Sequence, residues 1–374
     1  MRPTSYLDHA ATSPMRPEAA ASLHEHLSVV GNPAALHRVG QKARRVLEDA
    51  RESLAVAVGA DPTEVVFTSG GSEADTIALM GGMAARRSAG RPRCLVSAIE
   101  HPAVLGMTGH GACTLDVTRD GVVDVEAAVG ALDDSVGVVS VMAVNNETGI
   151  TQPVEQVRRA AHEHGVWVHT DAVQALGHLP VDFHASGVDM MSVSAHKVGG
   201  PVGIGALLVR RSVTPGMVGL GGGQERAIRS GTGAVALAAS FAAAVRAATS
   251  TLEAEMCRLS DMQQRIMTLC RGLGAVVNTD VAEHAPHITS VTFERLRADD
   301  LLFLLDQHGV FASVGSACRA GVHQPSEVLL AMGRSADDAA ATVRFSTGHS
   351  TTDAEIDQLA EVLPEAVARA RAAF

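Results

Sequence analysis

VWVHTDAVQALGHLPVD, Val166–Asp182, followed closely by VDMMSVSAHKVGGPVGIGALLV, Val188–Val209, decides the fold of this chain. Three short apolar runs lie here, at Val166–Thr170, Val188–Ala195 and Gly203–Val209. None keeps the strict polar alternation of a half-exposed strand, so each reads as a strand buried on both faces. The polar residues sit at the strand ends, where Asp171 closes one and His196–Lys197 follow another. Open α/β sheets collect ligands at the carboxyl ends of their strands.

Working outward, Glu64–Ser69, Arg93–Ile99 and Val136–Val144 are further apolar runs of the same kind. Helix-patterned segments separate them, at Ser72–Ser88, Val125–Leu132 and Val154–His164. This alternation predicts an α/β unit with a mostly parallel sheet. An Ala-rich helical run from about Gly233 to Leu273 is long enough to bridge to a second unit. That unit reads as α+β, with strand-like His287–Phe293 and Val343–Gly348 and helix-like Ala298–Gly309 and Asp353–Ala373.

The 374 residues carry 30 Lys and Arg against 41 Asp and Glu, a formal net charge of −11. An acidic balance argues against direct nucleic-acid binding, which depends on neutralising phosphates. The N-terminal segment lacks the apolar core of a signal peptide, and no uncharged apolar run of about 18 residues occurs, which points to a cytoplasmic protein without membrane association. Five scattered cysteines, Cys94, Cys113, Cys257, Cys270 and Cys318, form no disulfide framework or zinc pattern. The 17 histidines form no HExxH or Cys/His cluster, so no metal is expected.

Several residue groups carry chemistry. Lys197 beside His196 and Ser194, with Asp171 upstream, is the pair that pyridoxal phosphate (PLP) enzymes need. Lysine forms a Schiff base with the aldehyde, and a carboxylate keeps the ring nitrogen protonated. FTSGGSEAD, Phe67–Asp75, places Gly71 and Ser72 at a turn entering a helix, either as a phosphate cradle or with Ser72 as a plain N-cap. Asp171 alone could equally be a cap. Gln174, one turn on, is able to donate to a cofactor oxygen. His101 follows a strand and could stack on a ring and shuttle protons, or be an ordinary half-buried histidine. NNETG, Asn145–Gly149, offers two amides or a simple turn. GGGQERAIRSGT, Gly221–Thr232, is a phosphate-contacting loop or a surface loop. Arg344 suits a carboxylate, or a surface ion pair. Cys318, among small residues and next to Arg319, is the cysteine most favoured as a reactive thiolate.

Together these segments resemble the cysteine desulfurases, PLP enzymes of the class-V aminotransferase group with fold type I. The resemblance runs in order from YLDHAATSP (Tyr6–Pro14) and GNPAALH (Gly31–His37) to RFSTG (Arg344–Gly348). The GSAC stretch, Gly315–Cys318, places it with the NifS/IscS branch. The resemblance implies a large PLP domain over 14–250 with a mostly parallel seven-stranded sheet. Residues 1–13 and 251–374 would form a smaller α+β domain carrying the cysteine loop. It implies Lys197 as Schiff-base lysine, Asp171 on the pyridine nitrogen, Gln174 on the ring hydroxyl and His101 over the ring. Gly71, Ser72, Ser194 and His196 would hold the phosphate, joined by Thr232 of a second subunit in a homodimer. Asn146 and Arg344 would orient cofactor and substrate carboxylate, Asn32 would lie near the substrate, and Cys318 would be the nucleophile. The implied reaction takes L-cysteine to L-alanine and passes sulfur through Cys318 to an acceptor protein. A selenocysteine lyase, another C–S lyase or an aminotransferase of the same group is the alternative, and a non-catalytic interaction protein is a third reading. Departures from the usual pattern, at Ser72, Ala34, Ala35, Thr76, Ala195 and Arg319, remove no catalytic group. No tail of the kind that engages an iron–sulfur scaffold follows the last helix.

Overall fold

The computed structural model describes residues 4–315 and 325–374. A seven-stranded mixed sheet forms the larger part. Its spatial order is Val65–Thr68, Gly205–Val209, Met190–Ser194, Trp167–Asp171, Val136–Ser140, Arg93–Ser97 and Cys113–Leu115. Gly205–Val209 runs antiparallel to both its neighbours, and the other pairings are parallel. Every strand predicted for this unit is present. Cys113–Leu115, a short edge strand without a long apolar run, was not foreseen.

The strands are apolar throughout because both faces are covered. Successive side chains point to opposite faces. Val66, Val138 and Leu207 therefore join the cluster under Ile77, Met83 and Val104, whereas Val65, Val139 and Leu208 join the one under Leu54, Phe183 and Phe241. Burying each such side chain is worth about 1.5–3 kcal/mol, and these two layers fix the sheet against its helices.

The Ala-rich run is two helices, Val235–Ser250 and Leu252–Gly272, bent by 73°. Thr249, Ser250 and Thr251 return their hydroxyls to carbonyls one turn back, a competition with the backbone that bends helices. The first helix packs Ala238, Phe241 and Val245 on the large sheet, and the second packs Leu259, Ile266 and Cys270 into a separate core.

That second core surrounds a three-stranded antiparallel sheet ordered Thr342–Ser346, Ile288–Thr292, Val276–Val277. Helices Ala298–Gln307 and Asp353–Ala373 complete it. The chain start is woven into this unit: Ser5–Tyr6 pairs with Val310–Phe311, Leu7 enters the core, and Asp8 bridges to Ser346. From there the chain crosses to the large sheet at Ala10–Ser13. Among the described residues no single helix is long and apolar enough to cross a membrane.

Candidate active site

The chain passes from Arg93–Ser97 outward to Cys113–Leu115, then returns to Val136–Ser140 on the other side. Ligand crevices form at such a switch point, beyond the carboxyl ends of the strands. A cavity of about 410 Å³ opens there, and its wall includes Gly71, Ser72, His101, Asn146, Asp171, Gln174, Ser194, His196, Lys197 and Arg344. Ten residues singled out from the sequence thus converge on one space. Asn32 and Thr232 do not line it; both are exposed. Cys318 and Arg319 lie outside the described residues.

Lys197 follows the strand Met190–Ser194 through a single 3-10 turn, Ala195–Lys197. Its Nζ donates to the carbonyls of Ala10 at 2.5 Å and Ala11 at 2.7 Å. Burial, with Arg344 nearby, lowers its pKa to about 8. A neutral amine has two hydrogens and one lone pair. With two carbonyls taking the hydrogens, the lone pair is left for an electrophile.

Asp171 ends its strand, is buried, and accepts the Val173 N–H at 2.8 Å. Burial pushes its pKa up, while that N–H, His101 and Lys197 pull it down. A positive partner in the cavity would complete the ion pair that a buried carboxylate requires. His101 caps a short helix by accepting the Ala103 N–H on Nδ1, which leaves Nε2 as the nitrogen free for proton traffic. Burial lowers its pKa, opposed by Asp171 and reinforced by Lys197.

One wall of the cavity holds an orphan. Ser194 Oγ is buried and has no hydrogen-bond partner among the described residues, a costly state unless a ligand completes it. Beside it, Gly71 opens the helical segment that continues to Ser88. A Cβ at Gly71 would come within 2.8 Å of Val173 Cγ2, so only glycine keeps that approach. His196 Nδ1 meets Thr12 Oγ1 at 3.2 Å, and burial lowers its pKa to about 4. The donor set, an orphan hydroxyl, a helix start, a buried carboxylate and a primed lysine, fits PLP.

Arg344 crosses from the small sheet. Its Nη1 donates to the Asn146 carbonyl and its Nη2 to Asp8 Oδ1, each at 2.7 Å, and buried Nε has no partner among the described residues. Asp8 therefore already occupies part of the fork expected to take a substrate carboxylate. Asn145 is structural: its amide bonds Ile99 O, and its oxygen accepts from Glu147 and Thr148.

Sequence reading did not foresee several wall residues. Ala10 and Ala11 act through backbone carbonyls, which no side-chain pattern reports. Asp75, fully buried with Oδ1 3.6 Å from His169 Nε2, is driven up by burial and by Asp171. Glu147 binds Ser326 Oγ at 2.5 Å. Away from the cavity, Asp61, Glu64 and His184 bring ligand atoms within 4.8 Å of one another, but Arg211 occupies Asp61 and His184 bonds Glu64 directly.

Residues 5–359 match the family model described as Aminotransferase class-V. An IscS-like cysteine desulfurase from Mycobacterium tuberculosis (strain ATCC 25618 / H37Rv) is 44% identical over 386 aligned positions, covering 99% of this chain and 98% of that relative. Among solved structures, a NifS-like protein superposes with a TM-score of 0.91 at 30% identity, covering 99% of this chain and 100% of the other. A structure of SspA in complex with cysteine gives 0.80 at 31% identity, over 92% and 98%. The chain belongs to the class-V aminotransferases, within their NifS/IscS-like cysteine desulfurases, and has the PLP fold type I.

Proposed function

We propose that this chain removes sulfur from L-cysteine, releasing L-alanine and storing the sulfur as a persulfide on Cys318. The observation that carries this is the convergence of Lys197, Asp171, His101 and Ser194 on one cavity, with the Lys197 amine held for attack by two carbonyls. Bound PLP supplies an aldehyde that condenses with amines and a ring that takes up electron density from the substrate's α-carbon.

The protein's own residues do the rest. Lys197 would hold the cofactor through its aldehyde and would be the base that moves the proton at the substrate's α-carbon. Asp171 would keep the ring nitrogen protonated, Gln174 would donate to the ring oxygen, and His101 would lie beside the ring with Nε2 able to transfer protons. Gly71, Ser72, Ser194 and His196 hold the phosphate. Arg344 and Asn146 would orient the substrate carboxylate, with Asn32 near the substrate. The Cys318 thiolate forms the new S–S bond to the substrate sulfur as the Cβ–S bond breaks. The electron pair of that bond stays with the carbon skeleton, which is protonated and leaves as L-alanine. L-cysteine plus a thiol thus becomes L-alanine plus a persulfide, with no external oxidant. Ser313 and Gly315 line the cavity, and Cys318 follows Gly315 by three positions in the sequence.

A homodimer completes the site with the partner's Thr232. In its support, exposed Leu36 and Leu220 lie in the same segments as Asn32 and Thr232. The sulfur then goes to an acceptor protein, such as a scaffold, carrier or thiolation enzyme, in the cytoplasm. Residues 14–250 form the large domain, and 1–13 with 251–374 the small one; two large apolar clusters support this division, while Val328, Leu329 and Met332 pack across it on Ile99 and Ile150.

The test is L-alanine released from L-cysteine by PLP-loaded protein, with Cys318→Ala alongside. Alanine from wild type alone is expected. No alanine from either refutes the reaction, and undiminished alanine from Cys318→Ala refutes the role of that thiol.

A further inference from the structure

Two histidines that the reaction does not use sit behind the cavity. His178 and His287 stack face to face, centroids 3.7 Å apart and planes 9° from parallel. Both are buried, at 6% and 1% exposure. His287 Nε2 lies 3.2 Å from Gln174 Oε1. Gln174 Nε2 donates to the Ala10 carbonyl at 2.9 Å, the same carbonyl that receives Lys197 Nζ.

The orientation of this chain of contacts follows from donor chemistry alone. A carbonyl only accepts, so the nitrogen of Gln174 must face Ala10 and its oxygen must face His287. That oxygen also only accepts, so His287 must carry its hydrogen on Nε2. Nδ1 is then bare, and it is the nitrogen that is buried without a partner among the described residues. The stack keeps the ring neutral. Burial, with His178, His9, Arg344 and Lys197 nearby, holds the His287 pKa well below its ordinary value, and burial brings His178 to about 4. His287 is anchored from the small sheet, where its carbonyl accepts the Thr347 N–H at 2.9 Å.

We propose that His287, stacked on His178, is a positioning residue that locks the Gln174 amide with its nitrogen toward Ala10, Lys197 and the cofactor. The proposal rests on the roles proposed above for Lys197 and Gln174. Gln174 Nε2 has a second hydrogen, the one available to the cofactor's ring oxygen. A flipped amide would set its oxygen against two other oxygens. His287 acts only through Gln174 and touches neither substrate nor cofactor.

Two measurements test it. In histidine-labelled holoenzyme, nitrogen NMR is expected to give His287 as the neutral tautomer with hydrogen on Nε2; an Nδ1–H tautomer or a charged ring at neutral pH overturns the proposal. The second compares His287→Leu and His287→Gln with wild type, reading PLP retention and the pH midpoint of the bound cofactor's visible band. Thermal unfolding of the apo forms checks that each variant folds. Losing one buried donor predicts about three- to tenfold weaker PLP retention in His287→Leu, with a moved midpoint. His287→Gln, which restores an N–H at the same reach, is expected to recover both. Retention and midpoint unchanged in His287→Leu overturn the proposal, as does failure of His287→Gln to recover either. A wild-type protein with no visible band refutes the Lys197 assignment instead, and the tautomer still decides the orientation of Gln174.

Discussion

Lys197 offers the sharpest test, because its environment changes a number that chemistry reads directly. An ordinary lysine has a pKa near 10.5, and burial beside Arg344 brings this one to about 8. The difference favours the neutral amine by about 3 kcal/mol. At pH 7.5 roughly a quarter of such amines are unprotonated, against about one in a thousand at an ordinary lysine. The apo-protein should therefore react with a small amine-selective acylating reagent at Lys197 about a hundredfold faster than at exposed Lys42, with a reactivity midpoint near pH 8. Peptide mass spectrometry across pH 6–11 measures both. Arg344→Met removes the second cause of the shift and should move the midpoint upward. A midpoint near 10.5 would refute the reasoning, and so would an Arg344→Met protein whose midpoint moves down. The sign for stability follows the same logic. Between about pH 8 and 10.5 the unfolded chain binds the proton that the folded chain has lost. Lys197 thus contributes rising stability across that window, and below it lowers stability by about 3 kcal/mol.

Glu225 accepts both Arg51 Nη atoms, at 2.8 and 2.7 Å, and the Phe67 N–H at 2.8 Å. Glu225→Ala leaves the Arg51 guanidinium with Glu48 at 3.2 Å and the Val65 carbonyl at 2.7 Å and should cost about 1–3 kcal/mol, read as a fall in Tm of several degrees that Arg51→Met recovers in part. Ser194→Ala should weaken PLP retention about tenfold, the worth of one hydrogen bond to a charged group, while leaving apo Tm unchanged or raised because an orphan hydroxyl is gone; equilibrium dialysis and thermal scans check the two halves.

Much of this site was legible because its chemistry rides on side chains placed next to strand ends. Asp171, Lys197 and His101 each follow an apolar run, and the parallel sheet brings such ends together. What stayed hidden is instructive. Helices Pro17–His26 and Arg38–Ala57 begin without an acidic capping side chain, the first at Arg16 and the second capped by a histidine ring. Ala10 and Ala11 contribute only carbonyls, which every residue has. His287 touches Gln174 across 113 positions, a pairing that local spacing does not encode. Alanine dominates the helical run ending at Leu273 and hides its break, which three hydroxyl residues at 249–251 make.

The pairing of Ser5–Tyr6 with Val310–Phe311 sets a timetable for synthesis. The carbonyls of Ala10 and Ala11 are made first, yet the strand that fastens their segment leaves the ribosome about 300 residues later, some 15–60 s at ordinary elongation rates. For only the last 113 or so residues of that interval, about 6–23 s, does Lys197 exist without the fastened carbonyls, the burial and the Arg344 charge that set its amine apart in the folded chain. A chain that ends before Val310 therefore has the lysine but not the strand pairing that carries Ala10 and Ala11 to it.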